Sequence, residues 1–185
     1  MTGSEAYYVL HLHHGTSKTY SNMITESGFE FPKVKRKDHW LGNGIYFFRE
    51  DKEQAMMWAC SKFKDSATET EVHVLQTRFE IHEDNFLDLD SRGGLSKFET
   101  FVDAVKKQLG EVKFKSDPAK LRNFIMDMLP KKYTVIQRTF DVTSKRFDNH
   151  PILAAAELNL HGKQVCIRDK SVITGDINVV MTKSL

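Results

Sequence analysis

The chain has 185 residues, 40% hydrophobic, 28% charged and 11% aromatic, with a net charge of +2, the profile of one compact domain spanning 1–185. Its two cysteines, Cys60 and Cys166, cannot staple a fold of this size, which excludes a disulfide scaffold. No apolar run approaches the ~20 residues of a transmembrane helix, and the first residues form no basic, apolar leader, so the expectation is a cytoplasmic protein without membrane association.

Tyr7-Tyr8-Val9-Leu10-His11-Leu12 is rich in β-formers and reads as a strand delivering a turn at His13-His14-Gly15-Thr16-Ser17. Tyr20, Met23 and Ile24 suit a short helix ending at Ser27, with Gly28 as its C-cap. Phe29 to His39 is a loop or short strand holding the basic cluster Lys33, Lys35, Arg36 and Lys37. Trp40 to Phe48 is a glycine-broken entry into an aromatic strand, and Asp51 caps a helix striped by Ala55, Trp58 and Ala59.

Val72 to Ile81 alternates as a strand, and Asn85 to Leu89 is a further short one. Phe98, Phe101, Val102 and Val105 recur at helical spacing between Ser96 and Leu109, and Pro118 to Met128 is helical up to Pro130. Tyr133 to Phe140, Gln164 to Arg168 and Ile177 to Met181 supply the last strands. Strands and helices first, a helical middle around 96–130, then strands again predict an α+β domain with a mostly antiparallel sheet.

Two segments stand out together. A glycine after a histidine, as in His14-Gly15, lets backbone groups approach a planar amide closely, because no Cβ intervenes. Gly42-Asn43-Gly44-Ile45-Tyr46-Phe47 repeats that freedom ahead of an aromatic stacking face. Neither segment has the spacing of a dinucleotide-binding Rossmann loop or a phosphate-binding P-loop. Three nearby histidines, His11, His13 and His14, supply too few ligands on one strand face for a metal. Asp84, Asp88 and Asp90 do not match a calcium loop, so no metal is expected.

The pair of segments, about thirty residues apart, resembles the ADP-ribosyltransferase family, in the branch with a His-Tyr-Glu signature that includes the poly(ADP-ribose) polymerases and bacterial and phage-defence toxins. The resemblance implies a split, mostly antiparallel β core with flanking helices, and NAD as the substrate that donates ADP-ribose. It implies that His14 hydrogen-bonds a ribose hydroxyl, that the Gly15 backbone grips the nicotinamide carboxamide, and that Thr16 supports this segment. Gly44 and Tyr46 belong to the second motif, with Tyr46 stacking on the nicotinamide. Lys33 to His39 would form a loop over the donor, and Trp58 is either a second stacking face or core.

The family's third residue is a glutamate, and two residues compete for its place. Gln164, opening Gln164-Val165-Cys166-Ile167-Arg168, matches the motif position but carries no charge. Glu157, in Ala154-Ala155-Ala156-Glu157, has the charge in a poorer context. A missing glutamate points to single transfers and away from polymer formation. The acceptor is either RNA or protein. The hydrolase and silent-binding-module alternatives stay open beside transfer. A toxin would in addition need a cognate antitoxin.

Charge bears on the acceptor. Residues 1–92 carry 11 Lys+Arg against 15 Asp+Glu, whereas residues 93–185 carry 16 against 10. Basic residues of the helical middle interleave with Phe114, Phe124 and Tyr133, a composition suited to single-stranded nucleic acid and equally to a merely solvated insertion.

Overall fold

The structure, a computed structural model, describes residues 6–34, 39–109, 118–141 and 161–185. In chain order these form β1 (Tyr7–Ser17), α1 (Lys18–Ser27), β2 (Ile45–Arg49), α2 (Lys52–Phe63), β3 (Glu71–His82), β4 (Phe86–Asp88), α3 (Arg92–Leu109), α4 (Pro118–Met128), β5 (Val135–Asp141), β6 (His161–Ile167) and β7 (Asn178–Ser184). The seven strands make one sheet in the order β4-β5-β6-β2-β1-β3-β7. Its pairings are antiparallel except for β4 with β5. The fold is therefore α+β with a mostly antiparallel sheet, as its element order predicts.

The expected turn at His13–Ser17 is not there. β1 runs straight through Gly15 to Ser17, paired with β3 at eleven successive positions from Tyr7–His82 to Ser17–Val72. A complete ladder on one side satisfies the backbone throughout, and that outweighs the turn preference of a lone glycine. The chain turns instead at Ser17, whose side chain caps α1 by accepting from the Tyr20 N–H. Gly28 closes that helix with a φ of 81°, and Asp51 caps α2 through the Gln54 N–H at 2.7 Å, both as read from the sequence. The α3 helix begins four residues earlier than Ser96, at Arg92.

Side chains alternate across the sheet and fill both faces. On one, Leu10, Leu12, Phe47, Phe79, Val165 and Ile167 pack with Phe29. On the other, α2 covers Phe48, Val72 and Val74 through Ala55, Met56 and Ala59, while Met126 and Leu129 join Leu41, Ile136 and Cys166. Removing a side chain as large as Phe47 or Leu12 from water contributes ~1.5–3 kcal/mol each. Trp58 is half-buried against the α2 cluster, with the Lys62 ammonium 4.7 Å from its ring. Cys166 is fully buried and Cys60 partly so. Among the described residues, no helix is long and apolar enough to cross a membrane.

The α2 helix lies directly on β1 at Gly15, where a Cβ would run into the Ala55 carbonyl and press on Ala59. Gly15→Ala is therefore expected to cost about 3 kcal/mol, near the upper end of overpacking penalties, lowering Tm by roughly 6–12 °C for a domain of this size. A thermal melt followed by circular dichroism checks this; a melting point unchanged within ~2 °C would contradict the close α2 approach.

Candidate functional site

The sheet is nearly split between β1 and β2. These strands pair only at Leu12–Arg49 and His13–Phe48. Continued in register, His14 would lie opposite Phe47 and Gly15 opposite Tyr46, but the strands part at that point. Each remains held on its far side, β1 by β3 and β2 by the four pairs Ile45–Ile167 to Phe48–Gln164 with β6. His14 fills the place of the missing ladder, its Nδ1 donating to the Tyr46 carbonyl at 2.7 Å.

That bond settles the chemistry of His14. A carbonyl can only accept, so Nδ1 carries the proton. Phe29 and Phe47 pack against the ring with centroids 5.4 and 5.5 Å away. Burial in this setting pushes its pKa down to about 4, against the opposing pull of the Tyr46 carbonyl. The imidazole is thus neutral at physiological pH and its Nε2 is a hydrogen-bond acceptor. The residue as a whole keeps some exposure.

Tyr46 is held on the opposite face of the sheet. Its hydroxyl accepts from the Leu41 N–H and donates to the Gly42 carbonyl, both at 2.8 Å. His39 stacks on its ring at 5.1 Å with 24° between the planes. Gly42, at φ 88°, makes the bend that returns the loop over the tyrosine. Gly44 has a packing reason as well, since a Cβ there would meet the Cys166 Sγ and the Ile167 carbonyl. Burial raises the Cys166 thiol to about 12, so it is an inert wall of this turn.

Gln164 lies on β6 between Phe48 of β2 and Arg138 of β5, on the same face as Tyr46. Thr16 is buried beside Gly15. The structure thus places His14, Gly15 and Thr16 on β1, Tyr46 on β2 with Gly44 just before it, and Gln164 on β6, three adjacent strands, with His14 and Thr16 on one sheet face and Gly15, Tyr46 and Gln164 on the other. Glu157, Lys35, Arg36 and Lys37 lie outside the described residues. Lys33 is exposed.

Other polar groups were not foreseen as part of this region. Gln54, in the first turn of α2, is buried with its Oε1 lacking a hydrogen-bond partner. Buried His13 bonds the Gln76 side chain through Nε2 at 3.2 Å, and desolvation lowers its pKa. Their only sequence signal is a polar residue inside an otherwise apolar face. A Ser21–His73–Glu71 chain, at 2.9 and 2.6 Å, has the order of a hydrolytic triad, but Ser21 is fully buried and the chain instead pins α1 to β3. Asp88 and Asp90 accept from Gln137 and Thr139 and tie β4 to β5. Among the described residues, no group of three or more His, Cys, Asp or Glu is placed to hold a metal.

Depression of the His14 pKa from 6.5 to about 4 fixes a sign for stability. The unfolded chain takes up a proton there that the folded protein refuses. Stability is therefore full above pH 6.5 and falls as pH drops towards 4, by up to about 3 kcal/mol. Urea midpoints across this range should show the slope in the parent protein and a clearly shallower one in His14→Gln; equal slopes would exclude a buried neutral His14. No protein-family model matches the chain, and no curated protein matches its sequence.

Proposed function

We propose that this protein is a mono-ADP-ribosyltransferase that moves ADP-ribose from NAD to a macromolecular acceptor, as a toxin or effector. The observation that carries this reading is His14, neutral and with an acceptor nitrogen, at the point where the two motif strands cease to pair. A ribose hydroxyl is the donor such a nitrogen suits. Tyr46 supports the reading as well, since its two hydrogen bonds make it a fixed aromatic wall.

NAD supplies a ribosyl carbon whose bond to nicotinamide is exchanged for one to the acceptor's nucleophile, which releases a proton. The protein's part is placement and electrostatics. His14 accepts from the ribose, the Gly15 backbone holds the carboxamide, Thr16 and Gly44 shape the strand ends, and the Tyr46 ring confines the nicotinamide. Gln164 orients a ribose hydroxyl as a neutral amide and gives no charge to an oxocarbenium-like state. This suits one transfer per site and not chain elongation. Glu157 is the alternative source of a carboxylate. RNA and protein are the two acceptor classes, and a cognate antitoxin is the partner that the toxin reading entails.

Labelled NAD incubated with total RNA or cell lysate tests the proposal. Label is expected in RNase-sensitive material or in protein; free ADP-ribose alone would mean hydrolysis, and no NAD consumption by folded protein would leave only a binding module. His14→Ala and Tyr46→Ala are each expected to lower kcat/KM by about 10²-fold or more, ~2.7 kcal/mol of lost transition-state stabilisation. Gln164→Ala should cost about 10-fold, the worth of one neutral hydrogen bond. Full activity in both the His14 and Tyr46 variants would refute this site.

A further inference from the structure

The loop that locks Tyr46 also carries Trp40, and a cation sits on it. The Arg122 guanidinium lies 5.1 Å from the Trp40 ring centroid, and Trp40 meets Phe140 edge-on at 4.9 Å. Arg122 is one helical turn before Met126 on α4, and Met126 packs with Leu41 and lies under Gly42. The i, i+4 relation therefore holds Arg122 at the end of the helix face that supports this loop.

Among the described residues, Arg122 is paired with no anion. It is half-buried, and its Nε is out of contact with water yet has no hydrogen-bond acceptor. A guanidinium offers five donors in a planar fork shaped for carboxylate or phosphate oxygens, and stacking on an aromatic ring satisfies none of them. Leaving a charged donor unpaired in a partly desolvated place is unfavourable. Trp40, for its part, is 39% exposed, a large aromatic surface left open next to that cation.

Position makes the pair relevant to the acceptor. Phe140, against which Trp40 packs, is two residues along β5 from Arg138, the strand partner of Gln164. Positions 138 and 140 share one sheet face, so Trp40 and Arg122 lie on the same side of the sheet as Gln164 and Tyr46. On the other side of Trp40, His39 covers Tyr46.

We infer that Arg122 and Trp40 form a phosphate-and-base subsite for a single-stranded RNA acceptor, with Arg122 binding a backbone phosphate and Trp40 offering the exposed part of its ring to a neighbouring base. This deepens the transferase reading and rests on it for the RNA's role as acceptor, but RNA binding is measurable without NAD. A planar donor fork beside an exposed aromatic suits a phosphate next to a base. A protein acceptor could supply a carboxylate but has no systematic reason to present a flat ring beside it.

The test is fluorescence anisotropy of a short labelled single-stranded RNA, titrated with the whole protein at several salt concentrations and without NAD. The parent protein should bind with a salt-dependent affinity. Arg122→Met keeps the apolar stem over Trp40 and should weaken binding about 5–10-fold while reducing the salt slope by about one. Arg122→Lys should keep the slope and lose part of the affinity. Trp40→Leu should weaken binding with the slope unchanged. NAD consumption without an acceptor should be unaffected by Arg122→Met. Parent-like RNA affinity and slope in Arg122→Met would overturn the inference, as would failure of the parent to bind RNA. A rise in the KM for NAD in Arg122→Met with unaltered RNA binding would assign the cation to the donor's pyrophosphate and overturn it too. Loss of RNA binding in the variants, from a parent that consumes no NAD, would uphold the subsite while the transferase reading fails.

Discussion

One hydrogen bond organises this site, that from His14 Nδ1 to the Tyr46 carbonyl. It occurs where two neighbouring strands cease to pair, and it replaces backbone pairing with a side chain. A sheet can accept such a gap when each strand is secured on its other side, because few backbone groups then lose their partners. Here β1 has eleven pairs with β3, and β2 has four with β6. The gap is thus local and rigid at once. The same bond fixes the histidine tautomer, and burial between Phe29 and Phe47 keeps the ring uncharged. Geometry and protonation state have a single origin.

The glycines show how one residue can serve a motif reading and a packing need at once. Gly15 and Gly44 suggest backbone access for a ligand, since neither has a side chain in the way. In the structure, each also admits a close neighbour, the Ala55 carbonyl in one case and Cys166 in the other. Packing alone would require glycine at both positions. Their presence therefore adds little to the functional reading. The neutral acceptor nitrogen of His14 is a more discriminating feature, since packing does not call for an imidazole there.

Much of the fold was legible because its signals are local. The Ser27–Gly28 helix end, the Asp51 cap, the alternation of Val72 to Ile81 and the Pro118–Met128 helix depend on near neighbours in sequence. What was not legible depends on distant ones. A strand through Gly15 needs β3, some sixty residues later, to outbid the turn signal. Of the candidate site, the sequence offered only the short, ordered segments around His14, Tyr46 and Gln164. That Tyr46 is braced by Leu41 and Gly42, or that Gln54 is buried without a partner for its oxygen, depends on how the loop and α2 lie against the sheet. The pairing of Arg122 with Trp40 joins a helix and a loop 82 positions apart in sequence, and no local pattern announces it.

Sheet alternation finally constrains how any donor could be engaged. His14 shares the face of Leu12 and Phe47, whereas Tyr46, Phe48 and Gln164 lie on the other. A molecule touching both sets would have to reach both faces of the sheet and could not lie along one surface. Its two ends then meet different surroundings: an aromatic, neutral recess around His14, and a face bordered by Gln164, Trp40 and Arg122. On the proposed transferase reading, an acceptor would need open surface on the Gln164 face. Trp40 lies there with more than a third of its surface exposed, and Arg122 lies beside it without an acceptor at its Nε. Under the transferase proposal, the split between β1 and β2 thus sets His14 apart from Gln164, and the open surface on the Gln164 face is where an acceptor is expected.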